Sequence, residues 1–410
     1  MVKSDFNKNI AIAIIFVVCI FFLWKSGILY SHSLFPVIKE NRLHIFADWA
    51  TPVKLAICHK LGFNIFYPSS CMDYPFNYGN IFLYIPYSQS FEKFYFFYFP
   101  AAICFLFVYS IVSLIKPKNF FEYFLLILII FAPSSLLVIE RANTDILIFL
   151  FIVLMVYSNS STLNFAILTL ISPAKYYPVT LMVNFFIEKK RSIKQIIIIL
   201  LLFTLTIAFF FYLTGENLQL IQHKMKVISP TWGNQFSIKA FALISNKLIN
   251  YNYILILLMS YIFFTIFTII FFQFFKKINF INKIDIYSLE ERLFILSGNL
   301  IFSVYLVTDN VHYREIFLIL LLPFVMKLKN TFENKIFKYL LYFIMFRYIF
   351  FIISNYFVFF KKYFYLLYFK AFFDLIIVSC FAAMCLIINI EILKKIFLNQ
   401  TKSFIKNTKI

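Results

Sequence analysis

Hydrophobic residues in this chain run in long, nearly unbroken blocks, and polar residues are confined to the intervals between them. A helix rises about 1.5 Å per residue, so about 20 apolar residues cover the roughly 30 Å of bilayer hydrocarbon. By that measure the pattern predicts spans at 9–30, 91–115, 120–139, 145–158, 193–213, 251–275, 291–308, 313–328, 336–355 and 364–393. The block at 162–187 is also apolar, but SPAKYYP interrupts it, and Pro173 and Pro178 each remove a helical hydrogen bond. A hairpin of two short helices is expected there. The reading is therefore an all-α, polytopic integral membrane protein of about 12 passes in a single domain, 1–410. The first block follows a short basic start but lacks a small-residue cleavage site, so it reads as a span rather than a signal peptide.

Composition supports lipid as the main solvent. Hydrophobic residues make up 62% of the 410 and charged residues 14%, well short of the quarter usual in soluble domains. Mean hydropathy is +0.86. The net charge of +20 comes from basic residues placed between apolar blocks, which points to orientation signals and anionic membrane lipids rather than nucleic acid. With the hairpin counted as two passes, the basic segments at 116–119, 188–194, 274–283 and 327–330 and the basic tail at 394–410 all fall on the cytoplasmic side. Both termini are then expected in the cytoplasm of a cell whose plasma (inner) membrane holds the chain. Three polar loops face outward, at 31–90, 214–250 and 308–314. The first is too long for a mere connector and carries an expected interfacial helix in FADWATPVKLAICHKLG.

Candidate chemistry lies at the ends of the outward-facing spans. Asp48 is an exposed loop residue, a helix cap or a general base beneath an apolar lid. The loop continues through Asp73, Tyr74, Asn77 and Tyr78, a mixture of rings, amides and carboxylate that suits a sugar and equally suits an aromatic interface belt. ERANTD places Glu140, Arg141, Asn143 and Asp145 at one membrane boundary. Arg141 there is either a structural partner of Glu140 or Asp145, or a fork for a phosphate. Lys175, beside Tyr176 in the broken hairpin, is a counter-ion for a lipid-linked phosphate or a snorkelling lysine. Asn234 and Gln235 mark the third outer segment. His312 and Arg314 mark the last, with an interface histidine the alternative for His312.

Six cysteines, Cys19, Cys58, Cys71, Cys104, Cys380 and Cys385, form no metal spacing. Cys58 and Cys71 share the outer loop, either as a disulfide or as two free thiols. Glycine-rich phosphate loops, HExxH and GxSxG are absent, so no metal or cofactor is expected and a phosphate must be held by side chains.

Taken in order, Asp48, GFNIFYP, FNYGN, RANTD, AKYYP, GNQFS and HYREIFLILLLPF resemble glycosyltransferase family 87 of the GT-C superfamily, over 48–323. The resemblance implies a GT-C-like fold. It also implies a transferase using a polyprenyl-phosphate sugar donor, often a mannosyl donor, with a lipid or glycan acceptor at the outer membrane face. Asp48 would be the catalytic base. Arg141 and Lys175 would meet the donor phosphate, and Asn143, Asn234, Gln235 and His312 would line the pocket; Asp73, Asp145, Tyr176 and Arg314, polar at the same boundaries, are further pocket candidates. Two other classes use similar features: a transporter of lipids or lipid-linked oligosaccharides, and a polysaccharide polymerase or ligase. A transporter of this size usually carries two related halves, and no repeat is visible.

Overall fold

The computed structural model describes residues 2–25, 46–67, 69–72, 75–158, 160–187, 191–226, 236–307, 312–332, 335–357 and 364–407. All regular structure among them is helical. The α-helices in chain order are α1 (Val2–Lys25), α2 (Ala47–Lys60), α3 (Phe99–Ile115), α4 (Phe120–Ile130), α5 (Pro133–Arg141), α6 (Asp145–Ser158), α7 (Ser161–Lys175), α8 (Asn184–Ile187) and α9 (Ile193–Leu213). They continue as α10 (Leu218–Lys226), α11 (Ile238–Ile249), α12 (Tyr253–Ile278), α13 (Leu289–Val307), α14 (Leu322–Thr331), α15 (Ile336–Phe357) and α16 (Phe364–Asn407).

Six helices among the described residues are long and apolar enough to cross a membrane, or seven if the bent pair α4–α5 is one span. The pattern predicted more, and the difference has local causes. The expected span at 120–139 bends by 50° between α4 and α5, where Phe131 and Ala132 separate Ile130 from Pro133. Pro133 takes the first position of a new helix, where its missing N–H costs nothing. The expected span at 313–328 is a ten-residue 3-10 helix, His312–Leu321, that passes into α14. α6 has only 14 residues, and α13 opens on Glu290, Glu291 and Arg292. The last span runs on as one helix into the basic tail, to Asn407.

The expected hairpin is present, with its break at a single residue. α7 absorbs Pro173 and ends at Lys175; Tyr176 turns the chain with φ 56° and ψ −50°, and a 3-10 helix, Tyr177–Val183, leads into α8. The ring centroids of Phe165 and Phe185 are 6.1 Å apart, and both rings pack on Phe203 of α9. Twenty residues of straight helix would part Phe165 and Phe185 by about 30 Å.

The helices sort by solvent. α9 carries Ile197, Leu201, Leu205 and Phe209 in a four-residue repeat, all exposed, which is the face expected against lipid. α13, the 3-10 helix at 312–321 and the middle of α16 lie at the centre, with Leu293, Phe294, Leu296, Phe317, Leu320 and Leu375 fully buried. Charge reaches this centre only in compensated form. Glu315 pairs with Arg347 (2.6 Å) and Lys370, while Asp374 pairs with Arg347 (2.7 Å) and Lys370 (2.8 Å). Two cations and two carboxylates thus tie the 3-10 helix to α15 and α16 in a site without water access.

The loop ahead of α3 is built around α2. Cys58 and Cys71 are bridged, with Cα atoms 6.0 Å apart, and Ile65, Phe76 and Leu83 form a small core beneath. This loop docks on the hairpin tip at Gly79, whose N–H donates to the carbonyl of Ala174 (3.0 Å). A Cβ at residue 79 would stand 1.6 Å from the carbonyl oxygen of Pro173, so only glycine allows this approach.

Two measurements test these features. A thiol count on denatured, unreduced protein should find four free cysteines, Cys19, Cys104, Cys380 and Cys385, and six after reduction. Six without reduction would remove the bridge, which closes a 13-residue separation and stabilises by about 3 kcal/mol. Gly79→Ala should lower the thermal midpoint of the purified protein, because the backbone it meets cannot rotate aside and overpacking of this kind costs about 2 kcal/mol. An unchanged midpoint would mean that the loop does not seat on the hairpin.

Candidate functional site

Four separated segments bring their polar residues to one place: the start of α2, the turn between α5 and α6, the hairpin tip, and the start of the 3-10 helix at 312–321. Local backbone chemistry aims each one. Phe46 caps α2 in the left-handed region (φ 66°), and its N–H donates to the carbonyl of Glu140 (2.8 Å). That bond sets Asp48 beside Arg141. The Trp49 indole donates to the carbonyl of Tyr95 (2.8 Å) and packs on Phe99, which anchors α2 to the head of α3.

α5 ends in a Schellman turn. Ala142 N–H donates to Ile139 and Asn143 N–H to Val138, with Ala142 at φ 43°. A left-handed alanine costs about 1 kcal/mol, and the turn is kept without glycine. Asn143 then opens α6 by accepting the N–H of Asp145 (3.0 Å). ERANTD is therefore one helix stop followed directly by one helix start. This explains why four polar side chains fit into six residues.

The side chains form two linked ion pairs. Asp48, nearly buried, receives the Nε and Nη2 atoms of Arg141 on Oδ1, each at 2.6 Å, and the amide Nδ2 of Asn143 on Oδ2 at 2.6 Å. Asp145, fully buried, receives Lys175 Nζ (2.7 Å) and the Tyr177 hydroxyl (2.6 Å) on Oδ1. Arg314 Nε lies 3.6 Å from Asp145 Oδ2, and its guanidinium stands over the Tyr177 ring at 4.6 Å. Asn143 joins the pairs, because its Oδ1 also faces Lys175 Nζ at 3.3 Å. Its amide orientation follows from its neighbours, with the NH2 toward a carboxylate and the oxygen toward an ammonium. Lys175 further lies 5.6 Å from the Tyr78 ring, whose hydroxyl donates to the carbonyl of Asp48 (3.2 Å).

Of the residues singled out from the sequence, Asp48, Arg141, Asn143, Asp145, Lys175 and Arg314 meet here. Asp48 does not cap α2, since the cap position belongs to Phe46 and the Asp48 carboxylate is turned to Arg141 and Asn143. The ion-pair partner of Arg141 is Asp48, rather than Glu140 or Asp145. Lys175 is ion-paired rather than snorkelling. Tyr176 points elsewhere, to Glu216 (2.9 Å). His312 begins the helix that carries Arg314. Asp73, Asn234 and Gln235 lie outside the described residues.

Sequence reasoning missed Glu216 and Lys224, and gave Tyr177 and Asn80 no role of their own. Lys224, buried, donates to Glu216 Oε1 (2.7 Å) and Asn80 Oδ1 (2.7 Å). Burial holds its ammonium below the usual lysine range, and the Glu216 carboxylate opposes that shift. Nothing local marks Lys224, because QHKMK reads as a solvated helix face. An open depression of about 330 Å3 lies at the other end of α2 from Asp48, lined by His59, Gly62, Phe63, Asn64, Ile65 and Phe66.

No family model, curated protein or solved structure matches this chain.

The Asp145 cluster has a direct stability test. Asp145→Asn removes the charge that faces both Lys175 and Arg314, and leaving a buried cation without its partner costs about 3 kcal/mol or more. The thermal midpoint should fall accordingly; a wild-type midpoint would show that these groups are not assembled around Asp145.

Proposed function

We propose that this protein is a membrane glycosyltransferase that moves a hexose from a polyprenyl-phosphate donor to a lipid or glycan hydroxyl at the outer face of the plasma membrane. The observation that carries the reading is the convergence of Asp48, Arg141, Lys175 and Arg314 from four segments at one end of a membrane-embedded helical bundle. A lipid phosphate sugar brings its own leaving group, so the protein needs a base for the acceptor and preorganised cations for the departing phosphate. One carboxylate beside a planar fork and two further cations meets that need without a metal.

On this reading Asp48 takes the acceptor hydroxyl proton as the acceptor oxygen bonds to the anomeric carbon. The bond from that carbon to the phosphate oxygen breaks, and polyprenyl phosphate leaves with the electron pair, its new charge met by Arg141, Lys175 and Arg314. Both Asp48 oxygens are engaged within the protein, by Arg141 and by Asn143. The phosphate must therefore draw the Arg141 fork toward itself before Asp48 can act, so donor precedes acceptor.

Two features support an outward-facing site. The Cys58–Cys71 bridge lies in the loop that carries Asp48, and such bridges persist in oxidising compartments. Lys327 pairs with Glu291 and Lys329 with Glu122 at the end of the bundle opposite Asp145, so two of the basic loops gather away from the candidate site. A GT-C-like arrangement of about 12 passes, with both termini cytoplasmic, completes the proposal.

Purified protein in lipid nanodiscs, supplied with a radiolabelled polyprenyl-phosphate hexose and a membrane-derived acceptor fraction, provides the test. Asp48→Asn should lower transfer by about 10²-fold or more. Arg141→Met and Lys175→Met should weaken donor use, and Arg141→Lys should be partly defective because it keeps the charge but loses the bidentate fork. Normal transfer by Asp48→Asn would remove Asp48 as the base. Translocation of the lipid without sugar transfer would favour the transporter class instead.

A further inference from the structure

Lys175 and Tyr177 both reach the same atom, Asp145 Oδ1, at 2.7 and 2.6 Å. In a continuous helix, residues two apart point about 200° away from each other around the axis, and their side chains diverge. They converge here because Tyr176 between them adopts φ 56° and ψ −50°. That region is sparsely populated for a side chain as large as tyrosine, and such a conformation persists only where its surroundings over-determine it.

The surroundings are a second buried cluster, built on residues other than Asp48, Arg141 and Asp145. The Tyr176 hydroxyl donates to Glu216 Oε1 (2.9 Å), and its ring stands edge-on to Phe211. Glu216 Oε1 also receives Lys224 Nζ (2.7 Å), while Oε2 receives the backbone N–H of Asn80 (2.7 Å). Lys224 lies over the Phe76 ring at 4.9 Å and the Phe66 ring at 5.6 Å. The Glu216 and Lys224 side chains are 1% and 0% exposed, so each depends on the other for its charge. Glu216 itself is delivered by a Schellman turn at the end of α9, with Gly215 at φ 66°. Through Asn80, next to the seat at Gly79, the cluster joins the disulfide loop, the hairpin tip and the end of α9.

We infer that Tyr176, Glu216 and Lys224 are positioning residues, which hold the hairpin tip in the turn that aims Lys175 and Tyr177 at Asp145 and thereby set the grip of Lys175 on an anionic headgroup. The aiming of Lys175 stands on geometry alone; the anionic headgroup rests on the phosphate reading proposed above.

The test uses full-length protein in nanodiscs, with Tyr176→Phe, Glu216→Gln and, as a control, Tyr212→Phe at an exposed ring. Reductive methylation followed by mass spectrometry reads the reactivity of each lysine, and dodecyl phosphate serves as the binding probe. Tyr176→Phe deletes one hydroxyl and keeps the ring packing, so it reports even where Glu216→Gln fails to fold. Both variants should raise Lys175 reactivity by about tenfold, the worth of one hydrogen bond to a charged group, with buried Lys370 and the control unchanged. Dodecyl phosphate should bind several-fold more weakly, with KM for the donor raised and kcat nearly retained. Unchanged Lys175 reactivity in the folded variants overturns the inference. A parallel rise at Lys370 overturns it too, because that is general loosening. Selective labelling of Lys175, with no dodecyl phosphate binding by the wild-type protein, upholds the positioning role and overturns the phosphate reading.

Discussion

A charge buried in lipid must be compensated from within the chain, because lipid offers no partner, and the Asn143 carboxamide shows how tightly that condition is met at the candidate site. One amide faces a carboxylate with its nitrogen and an ammonium with its oxygen, so the pairs Asp48–Arg141 and Asp145–Lys175 are held in a single register. The surrounding backbone serves that register. The left-handed Phe46, the left-handed Ala142 and the strained Tyr176 each depart from regular helix at a point where a side chain must turn into the cluster. Strain stored at such points is offset by the ion pairs and hydrogen bonds that it permits.

The same rule links the site to the middle of the bundle. Arg314 and Glu315 are neighbours in a 3-10 helix, where successive residues point about 120° apart. Arg314 goes to Asp145, and Glu315 goes to Arg347 and Lys370. A helix that carries a cation to the candidate site is thus pinned from its other side by a neutral set of four buried charges. α6 is fastened at both ends: Asp145 sits in the cluster, and Arg292 donates to the carbonyls of Met155 and Val156 at the far end. α6 is thus held by polar contacts at both termini, while α9 turns an apolar face outward and packs on the hairpin through Phe203.

On the proposed function this arrangement has a chemical consequence. The resting protein keeps its candidate base neutralised by the same guanidinium that would receive the donor phosphate. The release of that carboxylate is tied to the arrival of a competing anion. Cations that face these carboxylates are also partnered and oriented for a phosphate that exchanges for one of those partners.

The sequence by itself determined the apolar surroundings, the helical class and the approximate positions of the long helices, because apolar block length and proline placement act locally and lipid tolerates few alternatives. ERANTD and AKYYP were legible as site segments for the same reason: polar groups at a membrane boundary stand out against their neighbours. The split of 313–328 into a 3-10 and an α-helix and the bend at Ala132 were not legible, since hydrophobicity alone does not distinguish one helical winding from another. Nor were the partners. Asn80 and Glu216 lie 136 residues apart, Asp48 and Arg141 lie 93 apart, and Glu315 and Lys370 lie 55 apart. Sequence spacing speaks only for residues within about one helical turn, such as the Lys370–Asp374 pair. Which distant charges compensate one another was decided by tertiary packing, because ion-pair energy depends on separation in space and on burial, neither of which the order of residues contains.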